Sequence, residues 1–221
     1  MDYSKIETLW VRDPQTFRVR EGEFKQPEFA LPSRWLVTEK IDGMNVQIRL
    51  RPDGIVTYGG RAGERSNLPA NLVTWLLGNL PQVAVVAAFD AGVEAYLFGE
   101  GYGPGIQKGG HYRPTVSFRL FDVAVIGTDR TWWLNWDGVE DVAKKLGVST
   151  VPVIVRDAPL LLGVAHVQEE RMSTIAELEG GLAGARAEGV VARTDPLLFT
   201  RRGDRVMWKL KVKDYMGGVK P

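Results

Sequence analysis

Residues 45–51, "NVQIRLR", alternate without a break. Val46, Ile48 and Leu50 fall on one face and Asn45, Gln47 and Arg49 on the other, the period-two pattern of a half-buried strand. "RPDG" follows as a turn, and "IVTYGG" runs back as its hairpin partner. A hairpin pairs its strands antiparallel, which commits the chain to an antiparallel sheet. Further strands are predicted at "WLVTE" (35–39), "EAYLFGEG", "SFRLFDVAVIG", "TWWLNW", "VPVIVR", "GVVAR" and "RVMWKLKV". Helical spacing marks 67–80, 137–147 (Asp137 capping the start, Gly147 the end) and 172–187. Strands outnumber helices and many neighbours read as hairpins, so the predicted class is α+β with antiparallel sheets. Residues 1–221 are expected to form a single domain. No glycine-rich phosphate loop follows any strand, which removes the commonest nucleotide folds.

Composition narrows the class further. Hydrophobic residues make up 44% and charged ones 25%, which argues against global disorder. The chain has no cysteine, so disulfides and thiolate metal sites are excluded, as fits a cytoplasmic protein. "MDYSKIETLW" lacks the apolar core of a signal peptide, and "VAVVAAF" at 83–89 is too short to cross a bilayer. A soluble protein with no membrane partner is expected. The net charge of +1 gives no global sign of a nucleic-acid binder. The cations are uneven, however: Arg201, Arg202, Arg205, Lys209, Lys211, Lys213 and Lys220 crowd the last 22 residues against Asp204 and Asp214. Such a run is either a solvated tail or a phosphate-facing patch.

Several fragments carry chemistry. "TEKIDGMN" at 38–45 sets Lys40 ahead of an Asp-Gly turn, in a tight connection between two predicted strands. The fragment is either an ordinary turn or the setting of a reactive lysine, whose pKa must fall from about 10.4 toward ~7–8 before it can attack. Glu100 in "YLFGEGYG" lies between Gly99 and Gly101, where backbone or ligand can come close. Phe121 and Asp122 sit in "LFDV", and Glu188 precedes glycine in "AEGVVART". In "MWKLKVKDY", Lys209, Lys211 and Lys213 are predicted to share one strand face, where like charges repel unless solvated or met by an anion.

The order of these fragments is more specific than any one of them. Lys40-x-Asp-Gly, Arg61 in "GGRAGERSN", Glu100, Phe121-Asp122, Glu188-Gly and Lys209-x-Lys211 resemble the motif series of the covalent nucleotidyltransferases. These comprise DNA ligases, RNA ligases and RNA capping enzymes. "EKIDGMN", with asparagine five residues after the lysine, and "GYGPGIQKGGHY" resemble the RNA ligase branch typified by phage RNA ligase 2. The resemblance implies a nucleotidyltransferase (adenylyltransferase) domain of DNA/RNA ligase type, here without an OB domain. It implies that Lys40 attacks the α-phosphate of ATP and keeps AMP. AMP then passes to an RNA 5′-phosphate, and a 3′-hydroxyl displaces it to seal the strand. By the same resemblance Glu39 reads the adenine edge and Phe121 stacks on the ring. Arg61 and Glu100 hold the ribose and flanking groups. Glu188 organises magnesium or manganese, with Asp42 and Asn45 near its water shell, and Lys209 and Lys211 bear on the α-phosphate.

The chain departs from the pattern in one respect: only ten residues follow Lys211, where these ligases usually carry a second domain. Either an isolated adenylyltransferase domain or a minimal ligase is expected, with RNA ends or a nicked duplex as substrate and a partner as one way to replace the second domain. Rival readings are a DNA ligase or nick-sealer of broad sugar tolerance, a capping guanylyltransferase, and a non-catalytic nucleotide- or RNA-binding relic. Oligomeric state is not legible.

Overall fold

The computed structural model describes residues 1–64 and 66–216. The strands are β1 (Glu7–Thr8), β2 (Trp10–Arg12), β3 (Val19–Phe24), β4 (Trp35–Lys40), β5 (Met44–Leu50), β6 (Val56–Gly59) and β7 (Glu94–Tyr102). They continue with β8 (Ser117–Ile126), β9 (Thr131–Trp133), β10 (Ser149–Thr150), β11 (Val153–Ala158), β12 (Gly189–Arg193) and β13 (Met207–Lys211). The helices are α1 (Ala70–Asn79), α2 (Gln82–Ala87), α3 (Trp136–Leu146), α4 (Leu160–Gln168), α5 (Thr174–Leu178) and α6 (Lys213–Met216). None is long and apolar enough to cross a membrane. The class is α+β and the sheets are largely antiparallel, as the sequence predicts.

The chain divides into two compact units. The first comprises Met1–Ser4, Asp42–Val151 and Glu179–Gly181; the second comprises Lys5–Ile41, Pro152–Leu178 and Leu182 onward. In the first unit the predicted β5–β6 hairpin forms in register, Gln47 opposite Gly59 and Leu50 opposite Val56. β7 pairs with β5 on one side and β8 on the other. The glycines of "FGEG" serve packing. A Cβ on Gly99 would lie 2.2 Å from the Phe118 ring, and one on Gly101 would lie 2.5 Å from Leu72.

The second unit is built on a five-stranded sheet in the order β1-β13-β12-β4-β11. One face carries Trp35, Val37, Val190, Ala192, Trp208 and Leu210, all buried in one apolar cluster with Val164 and Val167 of α4. Strand alternation sends Lys40, Lys209 and Lys211 to the opposite face. The sheet therefore anchors the lysines by burying their strand neighbours.

Several local expectations are corrected. Asn135, not Asp137, caps α3: its side chain accepts from the Gly138 N–H at 3.1 Å, while Asp137 lies in the first turn. Gly147 does end that helix, with φ 68°. The helix expected over 172–187 stops at Leu178, before Gly180, whose φ of 68° breaks the spiral. The lysine segment is the expected tight connection between two strands, β4 ending at Lys40 and β5 beginning at Met44, and these strands belong to different sheets. Lys213 leaves the strand face of Lys209 and Lys211, because β13 ends at Lys211, where Asp214 accepts the Lys211 N–H at 2.9 Å and α6 begins. Lys220 of the basic run lies outside the described residues.

Candidate active site

In the second unit, three adjacent strands bring distant sequence positions into one row. Gly189 of β12 pairs with Lys40 of β4 on one side and with Lys211 of β13 on the other. Glu188, just before this glycine, reaches both lysines. The Lys40 Nζ donates to Glu188 Oε2 at 2.6 Å, and the Lys211 Nζ donates to Glu188 Oε1. All three side chains are largely shielded: Lys40 is 20% exposed, Glu188 13% and Lys211 17%. Gly189 makes the close spacing possible, since a Cβ there would lie 2.1 Å from the Leu210 carbonyl oxygen.

Burial alone would raise the Glu188 carboxyl, but the charges and hydrogen bonds of Lys40 and Lys211 outweigh it and hold the group below the usual glutamate range. Glu188 is thus an anion fixed between two ammonium groups. Lys209, one residue pair further along β13, is pushed down to about 8, first by burial and then by the charges of Lys211, Lys40, Lys5 and Arg12. Between pH ~8 and ~10.5 the unfolded chain holds the Lys209 proton more firmly than the folded one, so this group makes stability rise with pH across that window. Below it, the cost of the partly buried cation is fully present. Lys209→Met is therefore expected to raise the melting temperature at pH 7, and its advantage over the native chain should shrink toward pH 10. A lysine on a freely solvated face would show neither effect.

Glu39 precedes Lys40 but lies on the opposite side of the strand, in the row of Val190 and Leu210. Its carboxylate is buried, accepting from the Ser173 hydroxyl at 2.5 Å and the Thr174 N–H at 2.9 Å. Burial raises its pKa, and these hydrogen bonds offset part of the rise. Ser173 was not among the sequence candidates; "MST" before an apolar run signals a helix start and says nothing of a glutamate partner.

The first unit carries Asp42, Asn45, Arg61, Glu100 and Phe121. Asn45 and Glu100 are register partners on β5 and β7 and so share a face. The Asn45 Oδ1 is buried and accepts no hydrogen bond from the described residues. The Asp42 N–H donates to the Tyr112 hydroxyl at 3.1 Å. Phe121 is the extra residue of a bulge, since Phe98 pairs with Asp122 while Gly99 pairs with Leu120. A bulge re-aims a side chain out of strict alternation, which is how adjacent Phe121 and Asp122 take distinct environments. Tyr3, also absent from the sequence candidates, donates to Asp122 Oδ2 at 2.6 Å and lies edge-on to Phe121 at 5.4 Å. Its carbonyl accepts from Arg61 Nε at 3.1 Å. No motif signal marks a lone tyrosine near the chain start.

Among the described residues, no three His, Asp or Glu side chains cluster as metal ligands. Magnesium is commonly held by one or two carboxylates together with phosphates and water. A lone carboxylate between two ammonium groups fits an ion that arrives on a nucleotide, and does not fit a resident ion.

The sequence matches the RNA ligase family model over residues 33–211. No curated protein matches it. Among solved structures, a ligand-free variant of Naegleria gruberi RNA ligase is similar, with a TM-score of 0.65 at 18% identity, covering 98% of this chain and 57% of that one. A variant of the same ligase with AMP and manganese gives 0.66 at 17% identity, and the form with pyrophosphate 0.65 at 17%, each with the same coverage. At such identity the likeness establishes the fold alone, which is that of the matched part of the Naegleria gruberi RNA ligase. The chain spans less than two thirds of the length of these proteins.

Proposed function

The chain belongs to the RNA ligase family, and from that premise we propose that it is an ATP-dependent RNA ligase acting through AMP held on Lys40. The observation that carries this reading is the Lys40–Glu188–Lys211 row with Lys209 beside it. It places a shielded primary amine among the cations that a phosphoryl group needs. The Lys40 Nζ attacks the α-phosphorus of ATP, the N–P bond forms, and the bond to the bridging oxygen breaks to release pyrophosphate. Glu188, 2.6 Å from Nζ, accepts the proton that Lys40 must shed, and its low proton affinity makes it a relay to water. Lys209 and Lys211 stand where negative charge grows on the α-phosphate. An RNA 5′-phosphate next displaces Lys40 from AMP, and a 3′-hydroxyl displaces AMP to close the strand.

In this reading Glu188 would hold a magnesium or manganese ion carried in on ATP, with Asp42 and Asn45 contributing through water. The ion would supply neutralising charge on the phosphates. Phe121, Arg61, Glu100 and Glu39 take the nucleoside; Arg61 would exchange its contact with Tyr3, and Glu39 its contacts with Ser173 and Thr174. Residues 1–221 act as one nucleotidyltransferase domain in the cytoplasm, and a partner or further domain supplies whatever grip on RNA they lack. The Naegleria gruberi structures with AMP and manganese and with pyrophosphate are in keeping with this chemistry.

The test offers matched nicked duplexes that differ only in the sugar at the 3′ side of the nick, at two salt concentrations. Ribose-ended nicks are expected to seal better. Sealing should fall steeply with salt, because the contacts to the backbone release counterions, while self-adenylylation falls much less. Equal sealing of all-DNA nicks would move the protein to the DNA ligase reading.

A further inference from the structure

The second unit has a cleft of about 340 Å³ that the motif series does not describe. Lys209 and Lys211 line it together with Lys5, Arg12, Lys25 and Lys213. Three of these cations come from the first 25 residues, ahead of every motif. β1 brings them there by pairing parallel to the outer edge of β13, with Thr8 opposite Lys209. Among the described residues, Glu7 is the one carboxylate in the cleft lining. Arg12 is balanced by Asp214 at 2.6 Å, which leaves positive charge in excess. The cleft thus begins at the Lys211 end of the Lys40–Glu188–Lys211 row.

We infer that this cleft is a phosphate subsite used twice, first for the pyrophosphate portion of ATP and then for the 5′-phosphate of RNA. The inference rests on Lys40 being the nucleophile. In the first step the Nζ–P bond forms as the bond from phosphorus to pyrophosphate breaks, and pyrophosphate leaves with the electron pair. In the second step a 5′-phosphate oxygen bonds to the same phosphorus and the Nζ–P bond breaks, returning its pair to Lys40. In-line displacement puts attacking and leaving groups on opposite sides of phosphorus. Lys40 occupies one side in both steps, so pyrophosphate and the 5′-phosphate must occupy the other. Strands lie ~4.8 Å apart, so Lys40 and Lys211 are separated by ~10 Å of sheet, and a phosphate chain leading away from Lys40 runs over β13 into the cleft. Burial, and after it the neighbouring cations, lower Lys209 to about 8, and a bound anion would offset both.

The test is calorimetric titration of inorganic pyrophosphate into the full chain without nucleotide, at pH 8 and low salt. Native protein should bind with proton uptake, as Lys209 regains its charge. Lys5→Ala/Lys25→Ala removes two exposed side chains and should weaken binding about tenfold or more, as loss of charge-assisted hydrogen bonds implies. Lys144→Ala/Lys145→Ala, the same charge change on the last turn of α3, should leave it unchanged. A short 5′-phosphorylated oligoribonucleotide should displace pyrophosphate where its 5′-hydroxyl counterpart does not. Native-like binding by the Lys5/Lys25 variant, equal weakening by both pairs, or equal displacement by both oligonucleotides would each overturn the subsite. The titration involves no AMP transfer, so it can fail while Lys40 still takes label, and succeed where Lys40 does not.

Discussion

Lys40→Ala is expected to retain no nucleotide after incubation with α-labelled ATP and magnesium followed by denaturation in detergent, whereas the native chain stays labelled. Only a covalent bond survives denaturation, and only an uncharged amine can form it. Lys40→Arg should fail as completely, because a guanidinium keeps its proton under all working conditions. Neither loss should reflect unfolding. Lys40 ends its strand on the face away from the apolar cluster, one fifth exposed, and Glu188 keeps Lys211 as partner when Lys40 is gone. Melting curves of both variants should therefore stay close to the native one. Label retained by Lys40→Ala would move the nucleophile elsewhere, and Lys209, with its low proton affinity, would be the next residue to replace.

What the sequence disclosed follows from which interactions are periodic or ordered along it. β5, β7, β8, β12 and β13 were legible because each is long enough to show alternation or a buried apolar run, and Gly147 because a left-handed C-cap favours glycine. β1 and β2, of two and three residues, are shorter than any period, and β3, "VREGEF", exposes most of its side chains. The site divides in the same way. Lys40, Glu188 and Lys211 were legible from motif order, and the register through Gly189 explains why that order matters, since three strands far apart in sequence align there. The cleft cations Lys5, Arg12 and Lys25 were not, because their position depends on β1 joining the edge of β13, a pairing no local pattern encodes. The bulge at Phe121 and the hold of Ser173 on Glu39 are likewise consequences of tertiary packing.

Lys211→Ala is expected to slow self-adenylylation by ~10²–10³, the usual cost of removing one preorganised electrostatic donor from a transition state. The pH dependence should change as well, and its direction separates a role in the reaction from a role in folding. Two ammonium groups share one Glu188 carboxylate in this structure. The Glu188 carboxyl is buried, and the charges of Lys40 and Lys211 hold it below the usual glutamate range. Without Lys211 it loses one of these cations and takes up a proton at higher pH, so the acid limb of the rate against pH should move to higher pH. Raising the pH should then recover part of the lost rate. Glu188→Gln removes the titrating carboxyl and should abolish that limb. Lys211→Arg keeps the charge and should leave the limb near its native place. The backbone at position 211 bonds to Asp214 through its N–H, which alanine retains, so the end of β13 and the start of α6 should persist and the melting temperature change little. A native rate in Lys211→Ala would make this lysine a solvated strand face, and a lost rate with an unmoved pH profile would confine it to holding the strand end in place.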